Sequence, residues 1–212
     1  MDPLALDALS VRRDDRPVID GLTARFAAGT RTALLGPNGS GKSTLLAAIL
    51  GGIRPAAGHV RRRPGLTVAY VPQDGSVPEA LPLTVRDTVR MGAWARRGRW
   101  RPLGRDGRIA VEHTLELLGL RGIAERRIQE VSGGQRRRAF LARALVQEAE
   151  LLLLDEPATG LDAASTAVVN AAIIRFARAG GCVIEASHDP TLERRADHIL
   201  RLGADSVSTP QR

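Results

Sequence analysis

Residues 36–44 read Gly36, Pro37, Asn38, Gly39, Ser40, Gly41, Lys42, Ser43, Thr44, and Lys42 is the only lysine among 31 lysine and arginine residues. The apolar run TALL precedes this stretch and STLLAAIL follows it, so the pattern predicts a strand turning through glycines into a helix N-terminus. Backbone N–H groups converge at such a turn, and the helix end adds a partial positive charge, so an anion is favoured there. Gly36, Gly39 and Gly41 permit φ values and a close approach that a Cβ would block. In this arrangement the Lys42 ammonium reaches the β- and γ-phosphates of a nucleoside triphosphate, and the Ser43 hydroxyl is a ligand for Mg²⁺. A compact, flexible ammonium fits between phosphate oxygens where a planar guanidinium does not, which accounts for the one lysine in an arginine-rich chain.

A phosphate cradle needs a second anchor for the metal, and LLLLDEP at 151–157 supplies one. Four apolar residues predict a buried strand, with Asp155 and Glu156 emerging at its carboxyl end. Asp155 can hold Mg²⁺, directly or through water. Glu156 can orient or deprotonate the attacking water.

Further motifs lie in a fixed order: Gln73 after an apolar strand, VSGGQ at 131–135, TGLD at 159–162, and His188 in EASHD. Together with the phosphate loop and LLLLDEP, they resemble the ABC-type ATPases over nearly the whole chain. The resemblance implies that Gln73 senses Mg²⁺ and the γ-phosphate, and that His188 contacts the γ-phosphate. Ser132, Gly133, Gly134 and Gln135, before a helix expected to begin near Gln135, form a second anion site. One chain has one phosphate loop, so this second site resembles the half that caps ATP on a partner subunit, with Asp162 at the same seam. The implied assembly is a homodimer closing around two ATP molecules. One departure concerns the base. The family usually places an aromatic near the end of the first strand to stack on adenine, and here Arg13 stands at that position.

The elements that must position these residues follow from hydrophobic periodicity. LALDALSV, GLTARFAAG, RTALLG, HVRRR, LTVAYVPQ, LLLLDE, CVIEAS and HILRL read as strands. STLLAAILGG reads as a helix with a glycine stop, TVRDTVRMGAWA and IAVEHTLELLGL as amphipathic helices, and ASTAVVNAAIIRFARA as a further helix. Thr84 and Asp87 form an N-cap pattern. The arginine-rich piece Trp94–Arg108 reads as a loop. Strand–helix alternation around an all-helical insertion predicts an α/β fold with a mostly parallel sheet. The resemblance refines this to a P-loop NTPase of the ABC type, with an N-terminal antiparallel β subdomain. Residues 1–212 form a single ATPase domain, divided into a nucleotide-binding core (1–73 and 150–212) and a helical subdomain (74–149).

Composition narrows the setting. No apolar run approaches the roughly 18–20 residues that span a bilayer, and the N-terminus lacks the pattern of a secretory signal. The single cysteine, Cys182, excludes an internal disulfide and fits a reducing compartment. The formal charge of +8 names no partner by itself, and no nucleic acid is expected. The resemblance implies a detached ATP-binding subunit, cytoplasmic and peripheral on the inner face of the cell membrane, that powers a separate membrane permease. Within that class the chain is most similar to zinc- or manganese-type importers, which implies a separate extracytoplasmic substrate-binding protein. The alternatives are a soluble ABC-type ATPase acting on nucleic acid or ribosomes, or one serving cofactor assembly.

Overall fold

Alternating apolar and polar residues near the N-terminus build an antiparallel sheet with strand order β2-β1-β4, from β1 (Leu4–Arg13), β2 (Arg16–Phe26) and β4 (Ala57–Arg62). One face, carrying Leu4, Leu6, Leu9, Leu22 and Phe26, is buried. The computed structural model describes residues 2–14, 16–73, 81–97 and 103–203, with backbone alone at 95–97. It divides into two compact units: Met1–Val68, Glu150–Glu156 and Ala177–Arg212 form the first, and Ala69–Ala149 with Pro157–Phe176 form the second.

Within the first unit, β6 (Leu151–Asp155), β7 (Cys182–Ser187), β3 (Arg31–Leu35) and β8 (His198–Arg201) lie side by side in that order, all parallel. Every residue of β3, β6 and β7 is buried. That explains their near-continuous apolar sequences, since strands of a parallel sheet are covered on both faces. Helix α1 (Lys42–Leu50) returns from the end of β3 and buries Leu45, Leu46, Ala48 and Ile49. It stops at Gly51, whose φ of 83° is the left-handed conformation that favours glycine.

The second unit takes most of β5 (Val68–Val71), then α2 (Val85–Arg97), α3 (Arg105–Leu117), α4 (Gly133–Leu145) and all but the last two residues of α5 (Ala163–Arg178). Thr84 and Asp87 cap α2 reciprocally. The Asp87 amide donates to Thr84 Oγ1 at 3.0 Å, and the Thr84 amide donates to Asp87 Oδ2 at 3.2 Å. Val85, Val89 and Ala93 make the buried stripe of α2. At Gly92 this helix meets α4 so closely that a Cβ would lie 1.9 Å from the Arg143 carbonyl oxygen.

Two sequence expectations need correction. The Trp94–Arg108 stretch is not a loop throughout: residues 94–97 continue α2 and 105–108 open α3, while 98–102 lie outside the described residues. The helix expected from about Gln135 begins at Gly133, two residues earlier, because Ser132 caps it. Among the described residues, no helix is long and apolar enough to cross a membrane.

Candidate active site

The phosphate loop joins β3 to α1 as the apolar flanks require. Gly41 is the N-cap of α1 with φ 97°, and no side chain caps the helix, so its first amides face the loop. A Cβ on Gly41 would lie 2.7 Å from Val18 Cγ1, and one on Gly36 would lie 2.4 Å from the Leu202 carbonyl oxygen and 2.5 Å from Ser40 Oγ. Glycine is therefore required at both positions by space as well as by conformation. The buried Lys42 ammonium donates to the carbonyls of Gly36 at 2.6 Å and Pro37 at 3.0 Å, which holds it over the loop. Ser40 Oγ is buried without a hydrogen-bond partner among the described residues. Pro37, Asn38, Gly39 and Ser43 are exposed, and Thr44 is buried against the core.

Asp155 ends β6, and Glu156 follows it in the first unit, both buried. Glu156 has φ 53°, a left-handed conformation unusual for a residue with a side chain. Its amide donates to the Ala186 carbonyl at 2.9 Å, which ties the turn to β7. His188 stands just beyond β7, and its Nδ1 lies 2.8 Å from Glu156 Oε1. The next residue, Asp189, caps a 3₁₀ turn (Pro190–Arg195). The Thr191 side chain and amide donate to its carboxylate and hold its pKa below the usual range.

Beneath these strand ends lies an ion pair that sequence reasoning missed. Arg31 and Glu185 are both buried, and Arg31 Nε and Nη2 donate to Glu185 Oε2 at 2.9 and 2.6 Å. Burial raises the Glu185 pKa, and the Arg31 guanidinium opposes that shift. The Arg31 amide donates to Asp197 Oδ2 at 2.8 Å, and the Asp197 amide returns a bond to the Arg31 carbonyl at 2.9 Å. Charged residues inside the apolar runs RTALL and CVIEAS were the available signal.

The second unit carries Gln73, Ser132, Gly133, Gly134, Gln135 and Asp162. Gln73 is exposed at a bend just past β5. Ser132 is the N-cap of α4 in a capping box: Ser132 Oγ accepts from the Gln135 amide at 3.2 Å, and Gln135 Oε1 accepts from the Ser132 amide at 3.0 Å. Gln135 is thus committed to the cap, while Ser132 and Gly133 are exposed. Asp162 accepts from the Ser165 amide at 2.6 Å, and that bond lowers its pKa. Arg13 is exposed at the end of β1, registered opposite Arg16.

A cradle of backbone amides, an ammonium, an exposed hydroxyl on Ser43 and a buried carboxylate on Asp155 fit a magnesium nucleoside triphosphate. A strand–loop–helix cradle of this kind beside parallel strands defines a P-loop nucleotide-binding protein. The ABC transporter family model matches residues 19–159, and the chain belongs to that family as an ATP-binding and ATP-hydrolysing subunit. A probable metal transport system ATP-binding protein of Chlamydia pneumoniae is 38% identical over 92% of this chain and 78% of its own length. The zinc import ATP-binding protein ZnuC of Alkalilimnicola ehrlichii is 40% identical over 94% and 73%. A putative metal-chelate type ABC transporter, solved in an inward-facing conformation, superposes with a TM-score of 0.84 at 32% identity, covering 95% of this chain and 79% of that one.

Proposed function

We propose that this subunit dimerises around two ATP molecules and powers a separate membrane permease that carries a divalent metal ion, zinc or manganese. The similarity to metal-transport ATPases over more than nine-tenths of the chain is the observation that carries this reading. The protein then sits in the cytoplasm on the inner face of the membrane, held there by its permease. An extracytoplasmic binding protein delivers the metal if the direction is import.

In this reading the loop from Gly36 to Thr44 holds the triphosphate, with Lys42 between the β- and γ-phosphates. Ser43 and Asp155 would hold Mg²⁺, and Gln73 would sense the ion and the γ-phosphate. The bound ion would neutralise charge on the β- and γ-phosphate oxygens. Glu156 takes the proton of the attacking water, and His188, hydrogen-bonded to it, orients that carboxylate and faces the γ-phosphate. Ser132, Gly133 and Gly134, at the amide-rich start of α4, cap the γ-phosphate of the ATP held by the partner subunit, and Asp162 lies at the same seam.

The test is purification of the native complex, then zinc and manganese uptake into vesicles reconstituted with it. A co-purifying multispanning protein and ATP-dependent accumulation of either metal support the reading. Bound nucleic acid in place of a membrane protein, or ATP-dependent transport of neither metal, would overturn it.

A further inference from the structure

Helix α4 carries three consecutive arginines, and each donates to the backbone of a different segment. Arg136 reaches the carbonyls of Ile128 and Gln129 at 3.2 and 3.1 Å, and Arg138 reaches that of Leu118 at 2.9 Å. These three bonds fix the helix to its own subdomain. Arg137 is different: its Nη2 donates to the carbonyl of Gln73 at 3.3 Å. Its Nη1 lies beside Gly160, where an added Cβ would be 3.8 Å away.

Gly160 opens the turn that leads to Asp162, and Leu161 between them packs on the first turn of α4. A Cβ on Gly134 would lie 3.2 Å from Leu161 Cδ2 and 3.8 Å from Ser165 Oγ. Three segments of the second unit therefore lie close together: the bend at Gln73, the capped start of α4 at Ser132, and the turn from Gly160 to Asp162. Of these, Arg137 donates to Gln73 and lies beside Gly160 without a hydrogen bond to it among the described residues. The third is the beginning of the helix that carries it. Gln73 and Ser132 are both exposed, so little buried apolar surface holds either in place. A planar group with five donors in a fixed fork can address two segments at once, which a lysine ammonium does less well.

We propose that Arg137 is a positioning residue of the ATPase, fixing Gln73, Ser132 and Asp162 as one group so that they engage the two nucleotides of a dimer together. The inference rests on the dimeric reading above. Arg137 touches no nucleotide in that reading. The phosphate loop is built on the first unit, so binding of ATP to a single subunit does not depend on Arg137.

The experiment compares Arg137→Ala and Arg137→Lys with wild type, measuring ATP affinity of the isolated subunit, Tm, kcat, KM and the Hill coefficient of hydrolysis. The expected result for Arg137→Ala is unchanged affinity and Tm, a kcat lower by about tenfold, and a Hill coefficient falling toward one. Arg137→Lys, which keeps a cationic donor but loses the planar fork, should recover part of the kcat. Wild-type kcat and cooperativity in Arg137→Ala would overturn the proposal, as would a loss of kcat accompanied by an equal loss in the stability of both variants. A wild-type protein that hydrolyses ATP without cooperativity would instead fail the dimeric reading, which keeps the two apart.

Discussion

The exposed ring of His188 is hydrogen-bonded through Nδ1 to the buried carboxylate of Glu156, at 2.8 Å. For Glu156 to act as a base its carboxylate must accept in this bond, which places the proton on His188 Nδ1. A neutral ring then offers a lone pair at Nε2, which repels a phosphate oxygen. Contact between His188 and a γ-phosphate therefore requires a proton at Nε2 or release of the Glu156 bond. The two residues follow the ends of different strands, β6 and β7, and the bond from the Glu156 amide to Ala186 ties those strand ends together.

Lys42→Arg is expected to be severe although the charge is unchanged. The ammonium fits between two loop carbonyls at 2.6 and 3.0 Å, where a wide planar fork has no room. ATP affinity should fall by more than about tenfold, or roughly 1.4 kcal/mol, with little turnover. Isothermal titration measures it, and affinity within twofold of wild type would refute the argument.

Ser132→Arg separates the two halves of the proposed composite site. Losing the capping box should cost about 1 kcal/mol, or about 2–4 °C in Tm. ATP binding to the isolated subunit should persist because the cradle is elsewhere in the chain, while cooperative hydrolysis should vanish. Loss of binding to the single subunit would mean that this stretch does not act across a dimer.

The Arg31–Glu185 pair predicts a stability cycle. Arg31→Met leaves a buried carboxylate without its guanidinium and should cost about 3–5 kcal/mol, while adding Glu185→Leu should recover most of it. The sign of the pH dependence follows from Glu185. Its folded pKa is raised by burial, so its contribution is fullest below the ordinary carboxyl range and is lost as pH rises. The raising should be larger without Arg31, so the Arg31→Met penalty should be smaller at pH 5 than at pH 8. Urea melts at both values check this, and an equal penalty would contradict it.

Arg13→Tyr tests recognition of the base. Stacking on an aromatic is worth about 1–3 kcal/mol, against about 0.5–1 kcal/mol for an exposed cation–π contact. Wild type should hydrolyse ATP and GTP with efficiencies within about tenfold, a difference below roughly 1.4 kcal/mol. The substitution should tighten binding without changing the rate at saturation. A strong wild-type preference for ATP would show that another residue supplies the adenine contact.

Much of this architecture was legible because its signals are local. The glycines around Lys42, the four leucines before Asp155 and the Thr84–Asp87 cap each announce themselves within a few residues. What stayed hidden depends on pairing between distant segments. Arg31 and Glu185 are 154 positions apart and meet only through the register of β3 and β7. Arg137 reads as one more basic residue in QRRRA until the Gln73 carbonyl, 64 positions earlier, is found beside it. The error at Trp94–Arg108 has a compositional cause. Arginine runs and glycines suggest a loop, but α2 and α3 extend into the stretch from either side, because arginine is a good helix former.

The most direct test of the account is ATP hydrolysis and subunit association in Glu156→Gln. The amide keeps the size of the side chain and removes the base, so hydrolysis should fall by about 10²–10⁴ while ATP still binds. With less negative charge near the γ-phosphate, an ATP-bound dimer should accumulate and be visible by sizing chromatography with ATP and Mg²⁺. A slow enzyme trapped as a dimer is the predicted result. Turnover at the wild-type rate would contradict the central claim that Glu156 is the base.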